Sequence, residues 1–290
     1  GYWLAAILGL WCVLYLMNAW AWRVIIQGGG PCTVGFMQLL KLTVSGFALN
    51  YVTPVGLMGG EPYRIMELTS YVGVERATSS VILYVMMHIF SHFCFWLSSV
   101  LIYVFFYPVG WGMGIVLGLI TLFCLLLVTL FIKGYRNGMA VACIRLGSHI
   151  PFLKKHAVRF AELHKEKLET IDSQIALLHQ QRKSTFYSAL GLEYTARIVG
   201  CLEVWLILNV LTTDVSFVGC ILIVAFSSLL ANLLFFLPMQ LGGREGGFAL
   251  AVAGLSLSGA YGVFAALITR VREMVWIVIG LVLMKIGNRR

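Results

Sequence analysis

The sequence predicts an all-α, polytopic transmembrane bundle built from two inverted repeats, each containing a Pro/Gly-broken, re-entrant helix pair. Three observations predict it. Hydrophobic residues make up 60% of the 290-residue chain and charged residues 11%, with a mean hydropathy of +0.91. A soluble domain carries about 25% charged residues. Apolar runs of roughly 20 residues recur along the chain, the length at which a helix crosses a bilayer with its backbone polar groups satisfied internally. The alternating segments of about 10 residues that mark a membrane barrel are not seen. Finally, one unusual peptide occurs twice, as Pro54-Val55-Gly56-Leu57-Met58-Gly59-Gly60-Glu61 and as Pro238-Met239-Gln240-Leu241-Gly242-Gly243-Arg244-Glu245. Both copies open on proline, contain a glycine pair and end on glutamate, with an asparagine upstream (Asn50, Asn232). Proline lacks a backbone donor and glycine costs chain entropy, so each peptide breaks a helix. Matching interruptions in two apolar halves are the signature of a repeat-built transporter.

The first apolar segment covers residues 2–22 and ends at Arg23. It has neither a basic leader nor an A-x-A site, so it reads as a span rather than a signal peptide, with further residues expected upstream. The Gln27-Gly28-Gly29-Gly30-Pro31 loop leads to a stretch at 36–52 and the first break. Residues 61–75 are mixed. A run at 77–107 is long enough to span with tilt, Pro108 and Gly110 make a turn, and 113–132 spans again. Residues 133–185 form the long polar region, with ten Lys/Arg against four acids. Within it Phe160, Leu163, Leu168, Ile171, Ile175 and Leu178 recur near a helical period, giving an amphipathic helix on the membrane face or against the bundle. The basic excess reads as a topology signal, or as an arm for anionic lipid or a partner. Spans resume at 186–211 and 217–237, the second break follows, and stretches at 246–257 and 259–284 complete the chain. The organisation is therefore a first repeat at 1–132, a cytoplasmic basic region at 133–185 and a second repeat at 186–290.

Net charge is +9 with a pI near 9.3. The basic residues gather in loops and no aromatic–basic RNA-binding motif accompanies them, which argues against nucleic acid. The cysteines, Cys12, Cys32, Cys94, Cys124, Cys143, Cys201 and Cys220, show no CxxC or CxxH spacing and read as small buried hydrophobes. No nucleotide phosphate loop, GxGxxG or HExxH motif occurs, and no cofactor is expected.

Loop charge orients the halves. With 133–185 on the cytoplasmic side, Pro108 lies outside and Glu75 and Arg76 inside; Asp214 and Ser258 lie outside if the C-terminus is cytoplasmic. If Arg23 is also inside, the first break enters from the cytoplasm and the second from the outer face, and they meet near the midplane whether each broken pair is a re-entrant hairpin or two full spans. The expected location is the inner (plasma) membrane.

Ionisable residues in such segments are candidates for function. They are Glu61, Arg64, His88, His92, Glu193, Arg197, Glu203, Arg244, Glu245, Arg270, Arg272 and Glu273. Glu61 and Arg64, three apart on a helix, can pair at an interface or read a lipid headgroup. Arg244 and Glu245 are adjacent, diverge on a helix, and each need a partner elsewhere. Glu193 and Arg197 are spaced for an intrahelical pair. Arg270 and Arg272 project to different faces of the last span; Arg270 is the preferred phosphate ligand. His88 and His92, one turn apart, read as core histidines, with His88 a candidate proton relay and metal disfavoured for lack of a nearby carboxylate.

These residues carry a resemblance. Trp22-Arg23 followed by Asn50, Pro54, Gly59-Gly60-Glu61 and Arg64, then Glu193, Arg197, Pro238, Gly242-Gly243-Arg244-Glu245 and Arg270, resembles the lysylphosphatidylglycerol synthase transmembrane region, a flippase-like family, and Asn232 and Arg272 join these as candidate lipid-binding residues. The resemblance extends from about residue 20 to 284; the Pro62 of Glu61-Pro62-Tyr63-Arg64 departs from its pattern. It implies movement of an anionic, aminoacylated or polyprenyl-phosphate lipid between leaflets. In this reading Arg64, Arg244 and Arg270 hold the lipid phosphate, while Glu61, Glu193 and Glu245 balance those charges, bind a cationic headgroup or carry coupling protons. The cytosolic synthase domain is not seen in the sequence, so aminoacyl transfer is not implied and no enzyme activity is expected. Membrane lipid is the expected partner; a second copy of the chain and a lipid-modifying enzyme are further candidates. The alternatives are a membrane-embedded lipid or glycan transfer enzyme with Glu61 or Glu245 as base, and a non-transporting scaffold that anchors such an enzyme.

Overall fold

The computed structural model describes residues 2–53, 59–137, 183–212, 215–234 and 242–287, with side chains described to 132 in the second stretch and to 286 in the last. Pro54, Pro238, Asp214 and nearly all of the basic region at 133–185 lie outside the described residues. Every regular element described is an α-helix. In chain order these are α1 (Tyr2–Gly28), α2 (Phe36–Val52), α3 (Gly60–Val72), α4 (Val74–Phe106), α5 (Trp111–Asn137), α6 (Lys183–Leu208), α7 (Phe217–Leu233), α8 (Gly243–Gly254) and α9 (Gly259–Gly287).

Helices α1, α4 and the apolar part of α5 (Trp111–Ile132) are long and apolar enough to cross a membrane. Helices α6 and α9 are of similar length, 26 and 29 residues, but carry the charged positions singled out above. Along α5 the side chains of Trp111, Ile115, Leu119, Leu122, Leu125 and Leu126 are exposed. An apolar face left open in this way suits hydrocarbon rather than water.

The mixed segment at 61–75 becomes the 13-residue helix α3, separated from α4 by the single residue Gly73. Gly73 adopts φ +82°, a conformation that glycine takes without strain, so one residue suffices for the turn. Across the α1–α2 loop, Arg76 Nη2 donates to the carbonyls of Ile26 (2.7 Å) and Gly30 (2.5 Å), tying the end of α1 and the loop after it to α4.

The packing is organised in matching sets. In the first half α1 packs on α2 and α4, α2 on α3, and α3 on α4; in the second, α6 packs on α7 and α9, α7 on α8, and α8 on α9. Between halves, α2 packs on α9 and α4 on α7, while α4 meets α6 as α9 meets α1. Exchanging α1–α4 with α6–α9 maps each of these pairings onto another, and leaves α5 as an addition against α4. The crossings are closed by corresponding bonds: Ser45 Oγ to the Gly280 carbonyl (3.0 Å) and Trp96 Nε1 to Ser228 Oγ (3.0 Å).

Helices α1 and α6, which this exchange relates, lie against each other. Trp11 bonds Glu203, Leu14 lies against Gly200, and Ile7 packs with Val204, Ile207 and Leu208. Position rises along one helix as it falls along the other, so the related helices run antiparallel. Each half has its own apolar core. One gathers Trp22, Leu39, Leu68, Leu83 and Met87; the other gathers Val204, Ile223, Phe248, Val252 and Ala266. Of the buried charges, Glu193, Glu203, Arg272 and Glu273 collect between them, and Arg64 stays with the first core.

Candidate functional site: a charged cavity between the halves

The first break forms a local clamp. Asn50, near the end of α2, accepts from Gly60 N (2.6 Å) and donates to Glu61 Oε1 (3.0 Å). Arg64 lies 3.7 Å from the same Glu61 oxygen and donates through Nε to the Leu42 carbonyl (3.4 Å) and through Nη2 to the Thr43 carbonyl (3.1 Å). Its guanidinium faces the rings of Tyr84 and Trp22, at 5.5 and 5.9 Å. It passes over Gly46, where a Cβ would overlap it, and Gly60 approaches the Gly46 carbonyl so closely that a side chain on Gly60 would collide with backbone. Arg64 therefore joins α2 to α3. The expected Glu61–Arg64 pair is present, but none of Asn50, Gly59, Gly60, Glu61 and Arg64 lines the central cavity.

The second break opens differently. Glu245 caps its own helix by accepting from Gly242 N (2.9 Å), and its other oxygen receives Arg270 Nε (2.5 Å). Gly243 packs against Leu234. Arg244 turns the other way and donates through Nη1 to Glu273 Oε1 (2.5 Å). The divergence of Arg244 and Glu245 follows from their adjacency on a helix. Gly242, Gly243, Glu245 and Arg270 stay outside the cavity; Arg244 enters it.

That cavity has a volume of about 420 Å³ and lies where α1, α2, α4, α6, α7, α8 and α9 converge. Its charged lining is Glu193, Arg197, Glu203, Arg244, Arg272 and Glu273, and His88 and Asn232 also border it. On one side Arg272 forms a bidentate pair with Glu203, both bonds at 2.9 Å, and lies 3.6 Å over the ring of Trp11, which itself donates to Glu203 (2.9 Å). Arg272 is 1% exposed. So buried a guanidinium persists only because its partners replace water. Glu273 receives Arg244 and Tyr51, the latter at 3.3 Å.

On the other side Glu193, 2% exposed, pairs through Oε2 with His88 Nδ1 at 2.8 Å. Arg197 does not form the predicted intrahelical pair with Glu193. It donates through Nε to Ser91 Oγ and through Nη2 to the His88 carbonyl, both at 2.7 Å. Asn232 donates back to the Ser228 carbonyl (2.7 Å). The rings of His88 and His92 meet edge to face at 5.4 Å. Among the described residues no group of three or more His, Cys, Asp or Glu is placed to hold a metal ion.

Of the arginines expected to share a phosphate site, then, Arg244 lines the cavity while Arg64 and Arg270 are engaged elsewhere. Glu203 and Glu273, candidates for function in the sequence to which no lipid-binding role was given, line the cavity. Trp11 and Tyr51 gave no signal beyond being aromatic.

The family described as lysylphosphatidylglycerol synthase TM region matches residues 1–281. The chain belongs to that family. Membership matches the resemblance drawn from the two motifs and supports a lipid-related role in a membrane. No curated protein and no solved structure matches the chain.

Proposed function

We propose that this member of the lysylphosphatidylglycerol synthase TM region family is a lipid transporter that passes a phosphate-bearing headgroup between leaflets through the central cavity. The observation that carries the proposal is the composition of that cavity. Three arginines and three glutamates line one space of about 420 Å³ inside a bundle of membrane helices. Burying so many charges is costly, and residues of this kind inside membranes mark substrate paths. The volume falls in the range of small-molecule sites.

Arg244 and Arg197 are the phosphate ligands in this reading. Arg244 is held by a single carboxylate and Arg197 by neutral acceptors, so each retains donors for a lipid phosphate. Arg272, locked by Glu203, supplies fixed positive potential. Acyl chains remain in the bilayer while the headgroup crosses. The antiparallel relation of α1 to α6 and the exchange symmetry of the contacts support two inverted repeats that rock about the cavity. Aminoacylated, anionic and polyprenyl-phosphate lipids all present the required phosphate.

The test is leaflet exchange in reconstituted vesicles. Labelled phosphatidylglycerol, lysylphosphatidylglycerol and a polyprenyl phosphate would be scored by the fraction accessible to an outside quencher. At least one should equilibrate faster than in protein-free vesicles, and Arg244→Gln should slow it. No exchange of any of the three would overturn the proposal.

A further inference from the structure

We propose that His88 and Glu193 form a proton-binding site that switches the cavity between balanced and net-positive charge, and so couples headgroup capture to protonation. The inference rests on the transporter reading, which it deepens, and starts from an asymmetry. Glu203 and Glu273 each have an arginine on their carboxylate, at 2.9 and 2.5 Å. Glu193, as deeply buried, has an imidazole instead. Its Oε1 is buried without a hydrogen-bond partner while Oε2 holds His88. An unpartnered carboxylate oxygen at the wall of a polar cavity is an acceptor with its place open. The His88 side chain is 47% exposed. The pair thus joins a hidden carboxylate to an accessible imidazole, the side chain whose charge changes near neutral pH.

The charge balance gives the proton a consequence. With His88 neutral, the three arginines of the cavity face three glutamates. One proton taken up by the pair leaves the cavity at +1. In a low-dielectric space that one charge favours a lipid phosphate, and its loss favours release. The neighbours of the pair are consistent with a single switch. Glu193 and Arg197 face it from α6, with Cys201 a turn further on; His92, Tyr84 and Cys94 lie along α4 itself. Tyr15 borders the cavity from α1, and Arg64 and Glu61 stand behind Tyr84 from α3. Helix α7 contributes Ser227, Ser228 and Asn232, which carry no charge, and Arg272, Arg244 and Glu273 lie across the cavity from α9 and α8. Among the described side chains of α5 the titratable one is Cys124. Arginines hold Glu203 and Glu273, which leaves Glu193, with His88 on it, as the cavity carboxylate whose ion-pair partner is not an arginine.

Two measurements test this. Infrared difference spectra of the purified protein, taken between pH 5 and pH 8 without lipid substrate, should show a carboxyl or imidazole titration in addition to those of the other five histidines of the chain. Glu193→Gln and His88→Asn should each remove it. Leaflet exchange across vesicles should depend on pH by up to about tenfold per unit over the same interval, as expected for uptake of one proton, and should lose that dependence in both variants. A wild-type spectrum without such a titration overturns the proposal, and needs no variant to fold. So does exchange whose pH profile survives in either variant. A normal titration without exchange of any lipid would leave the proton site standing and remove the transporter reading, which separates the two failures.

Discussion

The two broken peptides look alike in sequence and behave differently in space. In the first, Glu61 and Arg64 turn inward on their own half, and Asn50, Gly46 and Gly60 hold α2 and α3 together. In the second, Glu245 caps α8 and holds Arg270, which leaves Arg244 to reach Glu273 in the cavity. One motif thus serves as a rivet, while the other sends an arginine into the central cavity. The difference teaches that repetition of a helix break conserves the backbone problem, not the solution: each opened turn must find new partners for its amides and carbonyls, and its charged residues go wherever those partners are.

The comparison can be broken most severely on the second side. Arg272→Met leaves Glu203 buried with its cation gone and should cost about 3–5 kcal/mol. It would be read as a loss of thermal stability of the detergent-purified protein, and the Arg272→Met/Glu203→Leu double variant should recover much of it. Next, Arg244→Gln should slow leaflet exchange by about ten- to a hundredfold, the equivalent of one lost charge-assisted hydrogen bond of roughly 1.5–3 kcal/mol. Arg64→Gln should instead lower stability first, because its donors serve backbone carbonyls. A variant pair with these effects reversed would contradict the assignment of rivet and site.

Smaller changes sharpen the contrast. Gly60→Ala drives a methyl into the Gly46 carbonyl, which cannot move without shifting α2, and should cost about 1–3 kcal/mol. Gly243→Ala meets the Leu234 side chain instead, which can rotate, and should cost less in the same unfolding measurement. Least of all, Asn50→Ala should destabilise by about 1 kcal/mol through the lost contacts to Gly60 and Glu61. Asn232→Ala should leave stability nearly unchanged, since its amide bonds only the preceding turn of α7.

Much of the fold could be read from residue order. The apolar runs located the long helices within a few positions, and the Pro–Gly–Gly–Glu pair marked the two interruptions. The mixed segment at 61–75 was harder, because a short helix with a partly polar face lacks a membrane-length run; Gly73 is its punctuation. The site was less legible. Arg270 and Arg272 are two residues apart, so one had to face away from whatever the other faces, but helical spacing does not say which. Packing against α1 and α6 decided it, sending Arg272 to Glu203 and Trp11 and leaving Arg270 to Glu245. Glu193 and Arg197 have the spacing of a pair and yet bond to α4, since His88 and Ser91 present partners there.

The residue order alone determined that this chain is a helical membrane protein, that two similar Pro/Gly peptides lie between its helices, and that it places more charge in its apolar segments than lipid tolerates unpaired. Those properties follow from composition and local backbone chemistry, which act within a segment. Only the tertiary structure decided which charges meet. Partners such as Glu203 and Arg272, or His88 and Glu193, lie on separate helices, and their pairing depends on how antiparallel helices stack, a relation that no stretch of sequence contains.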